Sequence, residues 1–408
     1  MERADAVVLG AGPAGLGAAL ALARAGARVV VADPAAEPGG LCVTRRRDGF
    51  AYDIGGHIPF VRDAPRRAWL EELLGDDLRW VGRPVACVRD GVVVRGRYLD
   101  QRPPEPEPAA THDATARGEL ASRFGAGFVD RVMRPYLEKV DGVALEAIPG
   151  DRARRLLEGQ AAPDGFLFPA HGIGQLMDAM AGAARRAGAD VRLSTAAEAI
   201  HAPDGRVAGV RLAGGAEVAA PHVVVAMPAA AAAGLAEPEA PPDVLGPVRM
   251  RAVAIVYLAL GRGRLTEEPW IQVDDPRVPF ARAFETPNWS PRLTPEGRTL
   301  IGLECYCRAD PGDPVWGLGD AALAAACAEA LRDPLGLLDD PSEAVVVEVL
   351  RIPRAYPVAD LAQVPAVRAP ALWLDGIEGI HLAPGAAVIE AVEAGERAAA
   401  AALASGVS

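Results

Sequence analysis

Three glycines and one acid near the start of the chain have the types and spacing to hold a dinucleotide. Val7-Val8-Leu9-Gly10-Ala11-Gly12-Pro13-Ala14-Gly15 reads as a buried strand, a tight turn and a helix start, and Asp33 closes a second apolar strand over residues 28–32. Gly10 permits the turn, Gly12 lets the backbone approach a pyrophosphate, and Gly15 lets helix and strand pack closely. The helix that opens at Pro13-Ala14 points its partial positive end at the phosphates. Ala19 and Gly26 are expected to keep it slim against the sheet. A carboxylate at Asp33 can accept hydrogen bonds from an adenosine ribose, and suits a ribose without a 2′-phosphate.

A second glycine block selects the dinucleotide. After Asp33-Pro34 come Gly39-Gly40-Leu41-Cys42 and then Gly55-Gly56-His57. This arrangement resembles the FAD-binding signature of the amine oxidase and protoporphyrinogen oxidase superfamily, which UDP-galactopyranose mutases share. The resemblance implies that the Gly39-Gly40 doublet lies along the pyrophosphate and ribityl chain, with the Gly55-Gly56-His57 loop against the isoalloxazine. It also implies noncovalent FAD, because no cysteine stands near the C-terminus where monoamine oxidases attach their flavin.

The resemblance extends over essentially the whole chain. Arg134-Pro135-Tyr136-Leu137-Glu138-Lys139-Val140-Asp141-Gly142 matches a cap motif that usually ends Lys-Val-Trp-Gly, so Asp141 departs from it. Arg282-Ala283-Phe284-Glu285-Thr286-Pro287-Asn288-Trp289, with Leu303-Glu304 later, matches a sheet motif, and Arg354-Ala355-Tyr356-Pro357-Val358 matches a loop bordering the flavin cavity. Gly385-Ala386-Ala387-Val388 resembles a helix start that faces the flavin pyrimidine and offsets its negative charge when reduced. Asp375-Gly376 stand, in altered order, where relatives contact a flavin phosphate. Ala197 and Met227 complete the expected cofactor contacts, Ala197 through backbone groups over the adenine.

Among side chains for chemistry, His57 stands first: an imidazole beside the flavin can take a proton as hydride leaves. The residues alone leave it open between that role and packing of its loop. Tyr356 is expected as a cavity wall and candidate catalytic group, with a core tyrosine as the alternative. Arg282 and Arg354 are expected to bind an anionic substrate group through bidentate contacts, or else to form structural salt bridges. His171 is read as a turn cap, His381 as scaffold, Trp289 as packing and Glu390 as part of the cofactor-facing helix. Lys139 is the only lysine and sits in the cap motif, away from where many amine oxidases place a lysine near flavin N5. No metal site is expected: Cys42, Cys87, Cys305, Cys307 and Cys327 lack CxxC spacing, and Cys305 and Cys307 share the face of one buried strand.

These groups need a scaffold, and 408 residues provide for two or three domains. Hydrophobic content of 50% with 24% charged residues is globular composition. The net charge of −12 argues against nucleic acid or an anionic membrane surface as main partner. No apolar stretch reaches the length of a transmembrane segment, and a cytoplasmic protein of undetermined oligomeric state is expected.

The predicted fold is α/β. A Rossmann-like, glutathione-reductase-type FAD domain is built from segments 1–62, 166–230 and 368–408. A helical cap spans 63–165, and a substrate domain with a mostly antiparallel sheet spans 231–367. Within these, a proline-rich loop is expected over 101–108, and a strand over 371–376. There is no second GxGxxG, so electrons would pass to oxygen, a quinone, a diffusible carrier or back to the substrate. The expected activity is removal of hydride from a C–N, C–C or C–O centre of a small or medium metabolite, in a specialised biosynthetic pathway. The alternative is a mutase-like, flavin-dependent sugar isomerase without net redox change.

Overall fold

The strands Ala6–Leu9, Val29–Ala32 and Val223–Val225 are unbroken apolar runs, the pattern of strands covered on both faces. A computed structural model describes residues 2–82, 85–89, 92–96, 114–160, 165–385 and 387–406. In it these runs form a five-stranded parallel sheet, ordered Asp190–Arg192, Val29–Ala32, Ala6–Leu9, Val223–Val225, Ile380–Leu382. The sheet thus gathers segments from the start, middle and end of the chain. The loop expected over 101–108 lies outside the described residues.

The Pro13–Arg24 helix covers this sheet and is itself covered by the Val388–Ala404 helix. Their closeness has a specific cause. A Cβ on Gly395 would lie 1.9 Å from the Ala14 carbonyl oxygen, and one on Gly17 would lie 2.7 Å from that of Val392. Gly26, expected to thin this helix, instead follows its end at φ +88° with no neighbour within 4 Å; Gly17 fills that role. A second five-stranded sheet, of mixed direction, contains Ala197–His201, Gly209–Leu212 and Ala216–Ala219.

The other half is a seven-stranded sheet, antiparallel apart from the Trp270–Val273 and Val85–Arg89 pairing. Its central strands Met250–Leu260 and Thr299–Cys307 alternate between two cores. Ala254, Val256, Leu303 and Cys305 face the Asp320–Arg332 helix, whereas Val253, Ile255, Tyr257 and Tyr306 face the cap and the nucleotide half. The cap contains the helices Ala116–Phe124, Arg134–Asp141 and Gly150–Gln160.

Two sequence expectations are corrected here. Residues 371–376 are not a strand: they end the helix Val364–Asp375, and the strand is the three-residue Ile380–Leu382. Arg354 and Tyr356 do not sit in a loop but on the long strand Val345–Pro357, where Tyr356 pairs with Arg251. A bulge there sets Val253 against Ile352 and Arg251 against Tyr356. Among the described residues no helix is long and apolar enough to cross a membrane.

Candidate functional site

In a parallel sheet the loops that leave the carboxyl ends of the strands share one edge, and ligands bind there. That edge carries Gly10 after Leu9, Asp33 after Ala32, Ala226-Met227 after Val225, and Ala383-Pro384-Gly385 after Leu382. Gly10 has φ +107°, and a Cβ there would lie 2.7 Å from the Ala226 carbonyl oxygen, so Met227 backbone closes on it. Gly15 is tighter: its Cβ would stand 1.8 Å from the Gly10 carbonyl oxygen. Gly12 caps the helix at Pro13 without any side-chain hydrogen bond.

The two glycine blocks are joined directly. The Gly39 amide donates to the Ala11 carbonyl at 2.8 Å, and the Cys42 amide donates back to Gly39 O at 2.9 Å. Gly39 and Gly40 both have positive φ, and a Cβ on Gly40 would rest 3.7 Å from Gly12 Cα. Side chains here would fill the hollow between the loops; their absence leaves a backbone-lined cradle that fits a pyrophosphate. Asp33 is buried, and its carboxylate accepts from the amides of Ala11 at 2.7 Å and Ala35 at 2.8 Å. Pro34 and Leu41 are exposed beside it, and Cys42 is buried with its thiol pushed up to about 12 by desolvation. The Thr195 amide donates to Asp33 O at 2.8 Å, which carries Ala197 over the same edge.

The Gly55–Gly56–His57 loop lies between this edge and the seven-stranded sheet. Gly55 N donates to the Tyr257 hydroxyl at 3.2 Å, and Gly56 N donates to Glu304 Oε1 at 3.0 Å. Trp270 packs so close that a Cβ on Gly56 would lie 2.3 Å from its ring. His57 Nδ1 is buried and has no hydrogen-bond partner among the described residues. Burial holds the His57 pKa below the usual imidazole value, although the Glu304 carboxylate pulls the other way. A neutral ring is therefore the stable form near pH 7.

Glu304 is the centre of this face. It is buried, accepts from Tyr306 Oη at 2.7 Å, and pairs with Arg282 Nη1 at 3.4 Å. Arg282 also donates to Tyr136 Oη at 2.9 Å and lies over the Trp270 and Tyr306 rings at 5.2 and 5.3 Å. Tyr356 is 52% exposed, yet it senses Glu304 and Arg282, and desolvation, the largest effect, raises its pKa. Arg354, two residues away, is exposed.

The expected residues divide accordingly. Gly10, Gly12, Pro13, Ala14, Gly15, Asp33, Gly39, Gly40 and Met227 share one edge; Gly55, Gly56, His57, Arg282 and Tyr356 share the adjoining face. Asp375 and Gly376 belong to neither: they precede Ile380, at the opposite edge of the sheet, and are exposed. Ala387 caps the Val388–Ala404 helix without a side-chain bond and Gly385 lies against Ala391; Ala386 is outside the described residues. Lys139 donates to the carbonyls of Val273, Asp275 and Phe280 at 3.3, 2.8 and 2.8 Å, tying the cap to the sheet. The His171 ring lies against Arg292 Nη1 at 3.2 Å and Asp77 Oδ1 at 3.9 Å, while the Ile173 and Gly174 amides at the start of the next helix go to Asp53 and Thr44.

In the sequence Glu304 stands out only as part of a motif, and Tyr257 and Asp53 do not stand out at all. The signal was present. Polar groups on apolar strands such as Thr-Leu-Ile-Gly-Leu-Glu-Cys must find partners.

Residues 94–403 match the model of a family described as flavin containing amine oxidoreductase, and residues 8–73 match an NAD(P)-binding Rossmann-like domain. The all-trans-retinol 13,14-reductase of Danio rerio is 34% identical over 116 residues, 24% of this chain and 19% of that protein. The chain thus aligns with only that small share of this curated relative. A reduced UDP-galactopyranose mutase structure superposes with TM-score 0.77 at 18% identity, covering 99% of this chain and 96% of the other. A putative protoporphyrinogen oxidase from Exiguobacterium sp. 255-15 superposes with TM-score 0.71 at 19% identity, over 98% of each chain. At these identities the likeness is one of fold.

Proposed function

The chain belongs to the family described as flavin containing amine oxidoreductase, and from that premise we propose that it is an FAD-dependent oxidoreductase that removes hydride from a C–N, C–C or C–O centre of a small or medium metabolite. When bound, FAD supplies the hydride-accepting chemistry. Gly12, Gly39 and Gly40 would hold its pyrophosphate noncovalently through backbone, and Asp33 would hold the adenosine ribose. Gly385, Ala387 and Val388 would present a helix N-terminus to the cofactor.

The observation that carries this reading is His57 Nδ1, buried beside Gly55-Gly56 and without a partner among the described residues. A neutral imidazole there can accept the substrate proton that departs with the hydride. Glu304 and Tyr257 hold the loop amides, which fixes where the ring stands. Tyr356 forms a wall of the cleft. Arg282 is already paired with Glu304, so it orients a polar substrate group and does not serve as a free anion site.

The test is to reduce the holoenzyme anaerobically, mix it with dissolved oxygen, and follow reoxidation and peroxide. Rapid reoxidation with stoichiometric peroxide identifies oxygen as acceptor, and metabolites can then be screened by peroxide release. Slow reoxidation directs the screen to quinones and diffusible carriers. Product formed by reduced enzyme under nitrogen, with no acceptor consumed, would replace this reading with the isomerase one.

A further inference from the structure

The sheet motif that begins at Arg282 carries polar and aromatic groups that the reaction above does not use, and they converge on one loop. Glu285 is buried, and its carboxylate accepts from the amides of Leu265 at 2.7 Å and Thr266 at 2.8 Å. Asn288 Nδ2 donates to the carbonyls of Thr266 and Glu268, each at 3.0 Å. Trp289 Nε1 donates to Pro269 O at 2.6 Å. These bonds fix residues 265–269, and with them the residue that follows, Trp270. Its ring stacks on Trp289, with centroids 6.2 Å apart, and Trp289 is wedged edge-on against Phe166 and Phe168. The Arg282 guanidinium lies 5.2 Å over the Trp270 ring.

The free edge of this indole rests on Gly56. A Cβ there would lie 2.3, 2.9 and 3.3 Å from Cζ3, Cη2 and Cε3 of Trp270, and these are its three nearest atoms. Gly56 does not have a positive φ, so the indole, and not backbone conformation, is what a side chain at this position would meet. The loop needs such a support. Residues 54–60 form neither helix nor strand, and the His57 amide to Gly55 O and the Phe60 amide to Ile58 O close only three-residue turns.

We propose that Trp270 is a positioning residue for His57: clamping Gly56 against Glu304, it fixes the imidazole and keeps water from its loop. This rests on the reading of His57 as the group that accepts the substrate proton. Glu304 grips the Gly56 amide and Trp270 its α-carbon, and Arg282 joins the two grips, paired with one and stacked on the other. The grips differ in kind. A hydrogen bond fixes the direction of one N–H, whereas a flat ring in contact leaves the peptide no room to swing. The ring also covers surface that water would otherwise reach, in keeping with a His57 pKa lowered by burial against the pull of Glu304. Glu285, Asn288 and Trp289 are then the mount of the indole.

The experiment is a cycle of Gly56→Ala, Trp270→Leu and the double variant in ¹⁵N-histidine-labelled holoenzyme, with His57→Gln to assign the His57 signal. Gly56→Ala drives a methyl into the indole and should weaken FAD about tenfold. Trp270→Leu opens the loop to water, so His57 should protonate at higher pH than in the wild type while circular dichroism stays native. In the double variant the added methyl meets no ring, and should cost less than about twofold in FAD affinity relative to Trp270→Leu alone. Trp289→Phe removes the bond to Pro269 and should move His57 the same way by less; it decides if Trp270→Leu does not fold. The proposal is overturned if the deciding variant leaves the His57 titration where the wild type has it. It is equally overturned if Gly56→Ala costs as much FAD affinity in the Trp270→Leu background as in the wild type. Protein that takes no FAD yet shows the predicted His57 shift loses the flavin reading and keeps the clamp.

Discussion

Glu304 Oε1 accepts the Gly56 amide at 3.0 Å, and this bond fastens the loop that carries His57 to the floor of the seven-stranded sheet. The same carboxylate holds Tyr306 and Arg282, so one buried charge sets both the position of the imidazole and its electrostatic surroundings.

Two substitutions separate these effects. Glu304→Ala leaves the half-buried Arg282 without its counter-ion and should cost about 2–3 kcal/mol of stability. Glu304→Gln keeps an acceptor for Gly56 but removes the charge that raises the His57 pKa. In ¹⁵N-histidine titrations His57 should then protonate at lower pH than in the wild type. An unchanged or higher value would show that Glu304 does not govern it.

Glycines in the cradle should divide into two kinds. A Cβ on Gly12 meets nothing nearer than Gly39 O at 3.9 Å, so Gly12→Ala should fold normally and lose FAD affinity on the order of 30- to 100-fold. A Cβ on Gly15 would stand 1.8 Å from Gly10 O, so Gly15→Ala should fail to accumulate as folded protein. Circular dichroism and FAD titration distinguish the two.

That division also shows how far the sequence could be read. The spacing of Gly10, Gly12, Gly15, Gly39 and Gly40 encodes local geometry, and the cradle was legible from it. Glu304 and Gly56 are 248 residues apart, and nothing in either segment announces the pairing. The end of the helix Val364–Asp375 reads as a strand in the sequence because Ala371-Leu372-Trp373-Leu374 is short and apolar and follows Pro370. The strand that does return to the sheet, Ile380–Leu382, is three residues long and too short to carry a period. The Gly17 and Gly395 contacts with the facing helix were hidden for the same reason as Glu304: each depends on a partner far along the chain.

Lys139 should prove structural. Its ammonium satisfies three carbonyls between cap and sheet, and desolvation holds its pKa down at about 8. Lys139→Met should destabilise the fold by about 2–4 kcal/mol, since those carbonyls lose their partner. The rate at which reduced enzyme reacts with oxygen should not change. A large change in that rate at full occupancy of FAD would move Lys139 into the reaction.

Asp53 gives the fold a pH dependence of definite sign. Burial raises its pKa to about 7, although Thr44 and the Ile173 amide favour the anion. An unfolded aspartate ionises near 3.8. Between these values the native state keeps a proton that the unfolded chain has released. The stability Asp53 contributes is therefore whole below about pH 4 and lost as pH rises through about 7, by on the order of a few kcal/mol. Asp53→Asn should remove this slope from denaturant midpoints measured across that range; an identical slope in the variant would assign it elsewhere.

The most direct test of the account is the stoichiometry and release of the flavin. Purified protein, reconstituted with FAD and then precipitated with acid, should yield about one FAD per chain in the supernatant, with none left in the pellet. Gly12→Ala protein, folded by circular dichroism, should yield little. A wild-type chain that cannot be loaded with FAD, or one that keeps its flavin in the pellet, would contradict a noncovalent cofactor held by the Gly12–Gly40 cradle.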